Sequence, residues 1–153
     1  MTWKAAVLAA PAGMSSALRF FGQPEFFDTH VGLVAVQFEG DASSVTAIYR
    51  TIDAGSNWTF LATVPGTASL FVSIVDQQTW IATDGSDVVH TTNGGAGWTR
   101  VTTHAPSGGL QAGLQAAQFI DLKDGWAGYT EPQGDALVLF TSDGGVNWRV
   151  EAP

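Results

Sequence analysis

The stretch Thr141-Ser142-Asp143-Gly144-Gly145-Val146-Asn147-Trp148 decides how this chain folds, because it recurs twice more in the sequence. Segments that align with it without a gap occur at residues 51–58 (TIDAGSNW) and 91–98 (TTNGGAGW), and each follows a run with strand-forming residues. Asp or Asn at the third position can accept hydrogen bonds from nearby backbone N–H groups, and glycine at the fifth supplies a positive φ. We therefore predict a tight β-hairpin at each segment, called a box hairpin below.

The residues of the box hairpins are predicted to have structural roles. The threonine hydroxyl can bond within the turn, and the tryptophan starts the returning strand with its ring packed beneath the hairpin. The predicted structural residues are Thr51, Asp53, Gly55 and Trp58, then Thr91, Asn93, Gly95 and Trp98, then Thr141, Asp143, Gly145 and Trp148.

Two further landmarks recur in the same order as the box hairpins. An apolar residue followed by aspartate precedes a short strand-like run at Phe27-Asp28, Val75-Asp76 and Ile120-Asp121. A proline follows a tryptophan by seven or eight residues at Pro11, Pro65 and Pro106. The aspartates are predicted to shape turns. Because Pro11 follows Trp3 at this spacing, Trp3 is predicted to end an earlier box.

Each repeat reads as four short strands, a to d, which is the composition of one propeller blade. The chain is thus predicted to be all-β, with three four-stranded blades at residues 15–62, 63–105 and 106–153 and an extra outer strand at 3–8. An insertion around GQPEF is placed between strands a and b of the first blade. Phe20, Phe21, Phe26 and Phe27 are interpreted as core of that blade, with a sugar-stacking surface as the alternative.

The repeat resembles the Asp-box family, also called bacterial neuraminidase repeats, whose pattern is Ser/Thr-x-Asp-x-Gly-x-x-Trp. Asn93 is the one departure from that pattern in the three boxes. The added landmark at Ile120-Asp121 and Gly125-Trp126 is similar to repeats of the photosystem II assembly and stability factor type. The resemblance implies a β-propeller with structural boxes and an extracytoplasmic location. It does not select a function, because the family includes sialidases, xyloglucanases, receptors and assembly factors.

Charge and composition exclude several classes of partner. The chain has a net charge of −8 with six Lys and Arg in total, which disfavours nucleic acid and anionic membrane surfaces. It has no cysteine, and no apolar run is long enough to span a membrane. His30, His90 and His104 are far apart in the repeat scheme. No cofactor or metal site is predicted.

Six of the acidic residues outside the predicted turns share one location in the repeat. The connections between strands b and c hold Glu39, Asp41, Asp84, Asp87, Glu131 and Asp135. Because strand direction alternates, these connections are expected on the face opposite the box hairpins, as a candidate binding face. Three interpretations stay open here: solvated loop acids, a site for a cation or a basic partner, and catalytic carboxylates.

The predicted function is a non-catalytic binding or assembly module for a protein partner, basic where it meets these acids, or for a carbohydrate. The alternative is a fragment of a sialidase- or xyloglucanase-like glycoside hydrolase, or a carbohydrate-binding propeller. A sialidase would need three axial arginines, and only Arg19 of the four arginines lies on an inner strand. Closed propellers typically have four to eight blades. Further blades are therefore expected from a longer chain or from a homo-oligomer.

Overall fold

Residues 5–14, 18–40, 43–66, 71–104, 114–131 and 133–151 are described by the structure, a computed structural model. Within these ranges the chain forms thirteen strands in three antiparallel sheets and no helix, which confirms the all-β prediction. Blade 1 comprises β1 (Leu18–Phe21), β2 (Glu25–Phe26), β3 (Gly32–Glu39), β4 (Ser44–Thr51) and β5 (Thr59–Val64). Blade 2 comprises β6 (Phe71–Ile74), β7 (Trp80–Thr83), β8 (Asp87–Thr91) and β9 (Thr99–Thr102). Blade 3 comprises β10 (Leu114–Phe119), β11 (Gly125–Thr130), β12 (Ala136–Thr141) and β13 (Arg149–Val150).

In blades 2 and 3 the four strands lie side by side in chain order, and in blade 1 the order is β1, β3, β4 and β5, with β2 also paired with β3. The first strands of blades 2 and 3 are neighbours, since the Phe119 N–H donates a hydrogen bond of 2.9 Å to Ser73 Oγ. In blade 1, β5 runs to Val64, beyond residue 62 where the blade was expected to end. The b–c connections lie at the ends of the sheets opposite the box hairpins, as alternating strand direction requires.

The insertion in blade 1 interrupts its first strand, which corrects the expected position between strands a and b. Both β1 and β2 pair with β3, through Phe21 opposite Val36 and Phe26 opposite Gly32. Between them, the Gly22 N–H still donates to the Ala35 carbonyl at 2.9 Å. The inserted residues therefore break the ladder locally, and the chain then rejoins the same neighbouring strand.

The extra outer strand predicted at residues 3–8 is not formed over residues 5–8, where the backbone has no strand partner. Trp3 and Lys4 lie outside the described residues. The segment instead packs against blade 1, because Leu8 and Ala10 contact its apolar core and the Tyr49 hydroxyl donates to the Ala9 carbonyl at 2.6 Å. A strand needs a hydrogen-bonded neighbour, and side-chain packing alone does not provide one.

The blades stack face to face, and their cores lie between them. We call the side of a blade that meets the next blade its trailing face, and the opposite side its leading face. The trailing face of blade 1 (Leu33, Ala35, Ile48, Val64) packs on the leading face of blade 2 (Trp80, Ala82, Val89). The trailing face of blade 2 (Ile81, Val88) packs on the leading face of blade 3, which includes Phe119, Ala127, Leu139 and Trp148. The period-2 alternation of β-strands separates the two faces.

The leading face of blade 1 is covered by the N-terminal segment. Val34, Val36, Phe38, Ala47 and Tyr49 form this face, and Met14 joins them in one buried cluster. Residues 8–14 thus occupy the side of blade 1 that corresponds to the blade-to-blade contacts of blades 2 and 3.

Candidate functional site

The three box hairpins share one hydrogen-bond pattern. In the first, the Thr51 hydroxyl donates to Asp53 Oδ1 at 2.9 Å and accepts from the Gly55 N–H at 2.9 Å. Thr91 makes the corresponding bonds of 2.8 and 3.1 Å, and Thr141 those of 2.9 and 3.0 Å. All three threonines are about 1% exposed. The buried threonine side chains therefore stabilise the turns of the box hairpins through these hydrogen bonds.

A residue missed by the sequence analysis completes two of the boxes. Asn57 donates to Asp53 from its backbone N–H and from its side-chain amide, both at 2.8 Å, and Asn147 bonds Asp143 in the same way at 2.9 and 2.8 Å. Gly97 holds this position in the second box and makes only the backbone bond, at 2.8 Å. The sequence contained an indication of this role, because Asn directly precedes Trp in both boxes that contain Asp.

These bonds lower the pKa of both box aspartates. At Asp53 the largest cause is the side-chain amide of Asn57, followed by its backbone N–H. At Asp143 the largest cause is the backbone N–H of Asn147, which outweighs the opposing effect of burial. Hydrogen bonds that the charged form accepts favour ionisation. The carboxylates are therefore occupied by their own hairpins.

The aspartates of the apolar–Asp pairs cap the a–b turns, as predicted. Asp28, Asp76 and Asp121 each accept two backbone N–H bonds within three residues, at 2.7 to 2.8 Å. The pKa of Asp28 and Asp121 is lowered mainly by these N–H groups. Burial acts in the opposite direction at Asp76, yet the N–H donors still leave its pKa below the ordinary value.

Each a–b turn is bonded to the box hairpin of the same blade. The backbone N–H groups of Ala54, Gly94 and Gly144 donate to the carbonyls of His30, Gln78 and Lys123, at 3.0, 3.0 and 2.9 Å. Two turns that are distant in sequence therefore support each other at one end of every sheet. The hydrogen bonds at this end of each sheet therefore stabilise the fold.

The box tryptophans each meet a second aromatic ring at this end. Trp58 contacts Phe26, Trp98 contacts Trp80 and Trp148 contacts Phe119, with ring centroids 5.7 to 6.2 Å apart. Trp148 is 5% exposed, and its indole N–H donates to the Gly145 carbonyl at 3.1 Å. Trp58 and Trp98 are half-buried.

The acids at the opposite end have different local environments. Asp84 accepts bonds from the backbone of Ser86 and Asp87, so it shapes its own turn. Asp87 forms an ion pair with Arg100 of β9. In blade 3, Glu131 and Asp135 close the b–c connection through a backbone bond of 2.8 Å. Glu39 ends β3 and is exposed. Asp41 lies outside the described residues.

The phenylalanines of blade 1 are mostly exposed, so their interpretation as core is wrong for three of the four. Phe20 is 53% exposed, Phe21 63% and Phe26 47%, whereas Phe27 is partly buried against the core between blades 1 and 2. The first strand lies at the edge of its sheet, where the described chain supplies no further strand to cover it. The sequence pattern does not distinguish these exposed rings from buried core residues, and only the tertiary arrangement does so.

A groove lies beside the exposed rings, between blades 1 and 2. It has a volume of about 80 Å³ and is lined by Phe20, Phe21, Gly22, Ala35, Gln37, Thr46 and Val72. Gln37 and Glu39 lie on the same face of β3, because side chains two residues apart in a strand share a face. Glu39 therefore lies two residues beyond the lining of the groove along the same strand face, at the b–c end of blade 1.

The arginines and histidines are distributed over separate elements. Arg19 lies on β1 with its guanidinium carbon 5.6 Å from the ring centroid of Phe38, and Arg149 lies 5.0 Å from that of Phe140. Among the described residues, no three His, Asp or Glu side chains form a group that could hold a metal ion. Within the same ranges, the structure contains no helix long and apolar enough to cross a membrane.

The three sheets are blades of a β-propeller, the class of fold that the repeat predicted. A solved structure described as YCF48 bound to D1 peptide is similar to this chain with a TM-score of 0.53 and 18% sequence identity. The similarity covers 88% of this chain and 40% of that one, so the chain spans less than half the length of its structural neighbour. No protein-family model matches the sequence, and no significant match is found among curated proteins.

Proposed function

We propose that this chain is a non-catalytic binding module that holds an extended segment of a partner protein in the groove between blades 1 and 2. The observation that carries the proposal is the exposure of Phe20 and Phe21 beside that groove. Exposed apolar groups gathered around a depression are characteristic of interaction sites. The free edge of β1 in the described fold offers backbone groups to which an extended peptide can bond.

The chemistry of the groove defines the segment that fits it. A volume of about 80 Å³ suits one side chain rather than a folded surface. Phe20 and Phe21 favour an apolar or aromatic side chain, and Glu39 favours a nearby Lys or Arg. The structural neighbour is described as bound to a peptide, which supports a peptide as the type of ligand.

A catalytic role has less support from the residues that the structure describes. The turn and box aspartates are bonded within their own turns, Asp84 shapes a turn, and Asp87 pairs with Arg100. A glycosidase of the common type needs two free carboxyl groups at a fixed separation. The proposal is therefore a holding function, with electrostatics setting association rate and specificity.

The test uses a synthetic extended peptide that has a central Phe flanked by Lys residues, with binding followed by fluorescence anisotropy. We expect Phe20→Ala to weaken binding about tenfold or more, as loss of one aromatic anchor does. Glu39→Gln should weaken binding mainly at low salt. The matched control is Ile52→Ala, because Ile52 is 68% exposed but belongs to a box hairpin at the other end of the sheet.

Three results would contradict the proposal. The first is a peptide affinity unchanged by Phe20→Ala, and the second is absence of peptide binding at millimolar concentration. The third is turnover of a β-glucan or an aryl sialoside that Glu39→Gln abolishes, which would establish an enzyme instead. Saturable binding of a glucan oligosaccharide lost in Phe20→Ala, without peptide binding, would assign the groove to carbohydrate.

We also propose an extracytoplasmic location, which rests on the Asp-box resemblance. Fractionation of the native host with an antibody against this chain tests it. Recovery in the cytoplasmic fraction alone would refute it.

A further inference from the structure

The second box hairpin differs from the other two at a pair of linked positions. Asn93 stands where they have Asp, and Gly97 stands where they have the Asn that precedes Trp. In the first box the Asn57 amide donates to Asp53 Oδ2 at 2.8 Å. Asn93 has an amide nitrogen in place of that oxygen, and this nitrogen lies 3.3 Å from a β-carbon built on Gly97. Because an amide nitrogen only donates, a second amide donor at position 97 would not match it.

Asn93 is also the one asparagine in the sequence that glycine follows, since Asn57 and Asn147 both precede Trp. In an Asn-Gly pair the glycine nitrogen can attack the side-chain carbonyl carbon. A bond forms between the Gly94 nitrogen and Asn93 Cγ, the bond from Cγ to Nδ2 breaks, and ammonia leaves with the proton from the Gly94 N–H. Water then opens the resulting succinimide ring to aspartate or isoaspartate. Glycine has no β-carbon to hinder the attack and adopts the backbone conformations that it requires.

The folded hairpin engages both reacting groups in other bonds. The Gly94 N–H donates to the Gln78 carbonyl of the a–b turn at 3.0 Å. Asn93 Oδ1 accepts from the Thr91 hydroxyl and from the Gly97 N–H, both at 2.8 Å. The attack requires the Gly94 nitrogen to lose its proton and to turn towards Cγ, so the bond to Gln78 must break first. Asn93 is exposed, so water is available for the later hydrolysis.

From these contacts we infer that Asn93 is a deamidation site that the fold keeps unreacted. Its side chain cyclises with the Gly94 nitrogen only when the second box hairpin separates from the a–b turn of blade 2. The modification therefore marks chains in which this end of blade 2 has opened. The site belongs to a box hairpin and not to the groove between blades 1 and 2, so the inference stands or falls independently of the proposed function.

The two products have different consequences for the hairpin. Aspartate at position 93 keeps the length of the backbone and an oxygen that can accept the same bonds, as Asp53 does in the first box. Isoaspartate routes the main chain through the side-chain carbonyl and makes the backbone one carbon longer. The hairpin has little space to absorb this change, because a β-carbon built on Gly95 would lie 2.5 Å from Ala62 Cβ and 2.9 Å from the Trp80 ring. Chains with isoaspartate at position 93 therefore do not re-form this hairpin.

The first test compares the full chain at mildly alkaline pH with and without urea. Brief digestion with trypsin, which cleaves after Arg50 and Arg100, gives one peptide that contains both Asn57 and Asn93. Mass spectrometry locates the deamidated residue within that peptide. We expect Asn93 to react in urea and to react about tenfold or more slowly in the folded chain, because the turn must open first. Asn57 is the internal control and should react little in either condition, since the Trp side chain hinders the attack.

Gly94→Ala makes the test specific to the proposed attack. Ala54 holds the corresponding position in the first box with a φ of +58°, close to the +65° of Gly94. The nearest described atom to a β-carbon built on Gly94 is the Gln77 carbonyl oxygen, at 4.0 Å. The hairpin therefore has room for alanine at this position. The variant should fold and should lose most of the deamidation of Asn93 in urea.

A second measurement follows the products after urea is removed. Size-exclusion chromatography separates the refolded chains, and the two forms of the peptide are identified against synthetic standards. We expect aspartate at position 93 in the refolded fraction and isoaspartate in the remainder. Asn93→Asp is the control for refolding and should refold to the same extent as the unreacted parent chain. The inference is overturned if Asn93 reacts equally fast with and without urea, if Gly94→Ala reacts as fast as the parent, or if isoaspartate is equally abundant in both fractions.

Discussion

At the scale of single residues, the box threonines combine three bonds in one buried hydroxyl. Each donates to the Asp or Asn side chain, and accepts from the backbone N–H of that same residue and from the glycine N–H four residues after the threonine. A buried N–H group without a partner costs more free energy than a typical hydrogen bond contributes. The threonine is therefore expected to contribute more to stability than its size suggests.

Thr141→Val should lower the free energy of unfolding by about 2–3 kcal/mol, because it leaves the buried Gly145 N–H without its acceptor. Chemical denaturation monitored by tryptophan fluorescence measures the effect. Thr99→Val is the control, since Thr99 is exposed on β9. Equal effects of the two substitutions would show that the hydrogen bonds of the Thr141 hydroxyl do not contribute to the free energy of unfolding.

At the scale of elements, the box hairpins of blades 2 and 3 are contacts between blades as well as turns. Gly145 has a φ of +86° and also meets Val88 of the preceding blade. The glycine therefore satisfies two requirements, a left-handed backbone conformation and a close approach. Gly134, in the b–c connection of blade 3, has a φ of +100° but no atom within 4 Å of a built β-carbon. A comparison of substitutions at Gly145 and Gly134 therefore distinguishes the cost of backbone strain from the cost of lost packing.

Gly145→Ala should destabilise the chain by about 2–4 kcal/mol, through backbone strain together with displacement of Val88. Gly134→Ala should cost about 1–2 kcal/mol, through strain alone. Thermal and urea denaturation of the two variants measure the difference. If Gly134→Ala were as destabilising as Gly145→Ala, the contact between blades would have no energetic role.

The three box tryptophans should differ in their contributions. Trp148→Ala is expected to cost about 3–5 kcal/mol, because the ring is 5% exposed and its removal leaves a cavity against Phe119. Trp98→Ala should cost about 1–2 kcal/mol, since that ring is half-buried. Unfolding midpoints of the two variants test the order. A larger loss for Trp98→Ala would mean that burial does not rank these positions.

At the scale of the whole molecule, five aspartates in repeated turns link stability to pH. The pKa is lowered at Asp28, Asp53, Asp76, Asp121 and Asp143. An aspartate whose pKa is lower in the folded chain stabilises the fold above its unfolded pKa of about 3.9. That stabilisation is lost as the pH falls through the folded value.

The chain should therefore keep its full stability near neutral pH and lose it progressively below about pH 4. Urea denaturation at a series of pH values between neutral and acid measures this dependence. Asp121→Asn should give a shallower decline, because the amide oxygen can still accept the backbone N–H bonds but does not ionise. Stability that increases on acidification would contradict the turn assignments.

The amino-acid sequence by itself determined the three blades, their turns and the repetition of those turns. Thr, Asp, Gly and Asn in each box act on backbone groups within four residues, so their bonds follow from local spacing alone. The turn aspartates behave in the same way. Strand alternation separated the two faces of each blade for the same reason, since it depends only on position along the chain.

The tertiary structure alone decided which of these surfaces are covered. Phe20 and Phe21 read as core in the sequence, yet they are exposed because their strand lies at a sheet edge. Val88 and Val138 hold the same position in the repeat, but one meets a box glycine and the other meets solvent. Burial depends on a neighbouring blade that is distant in sequence, and no local pattern records whether that neighbour is present.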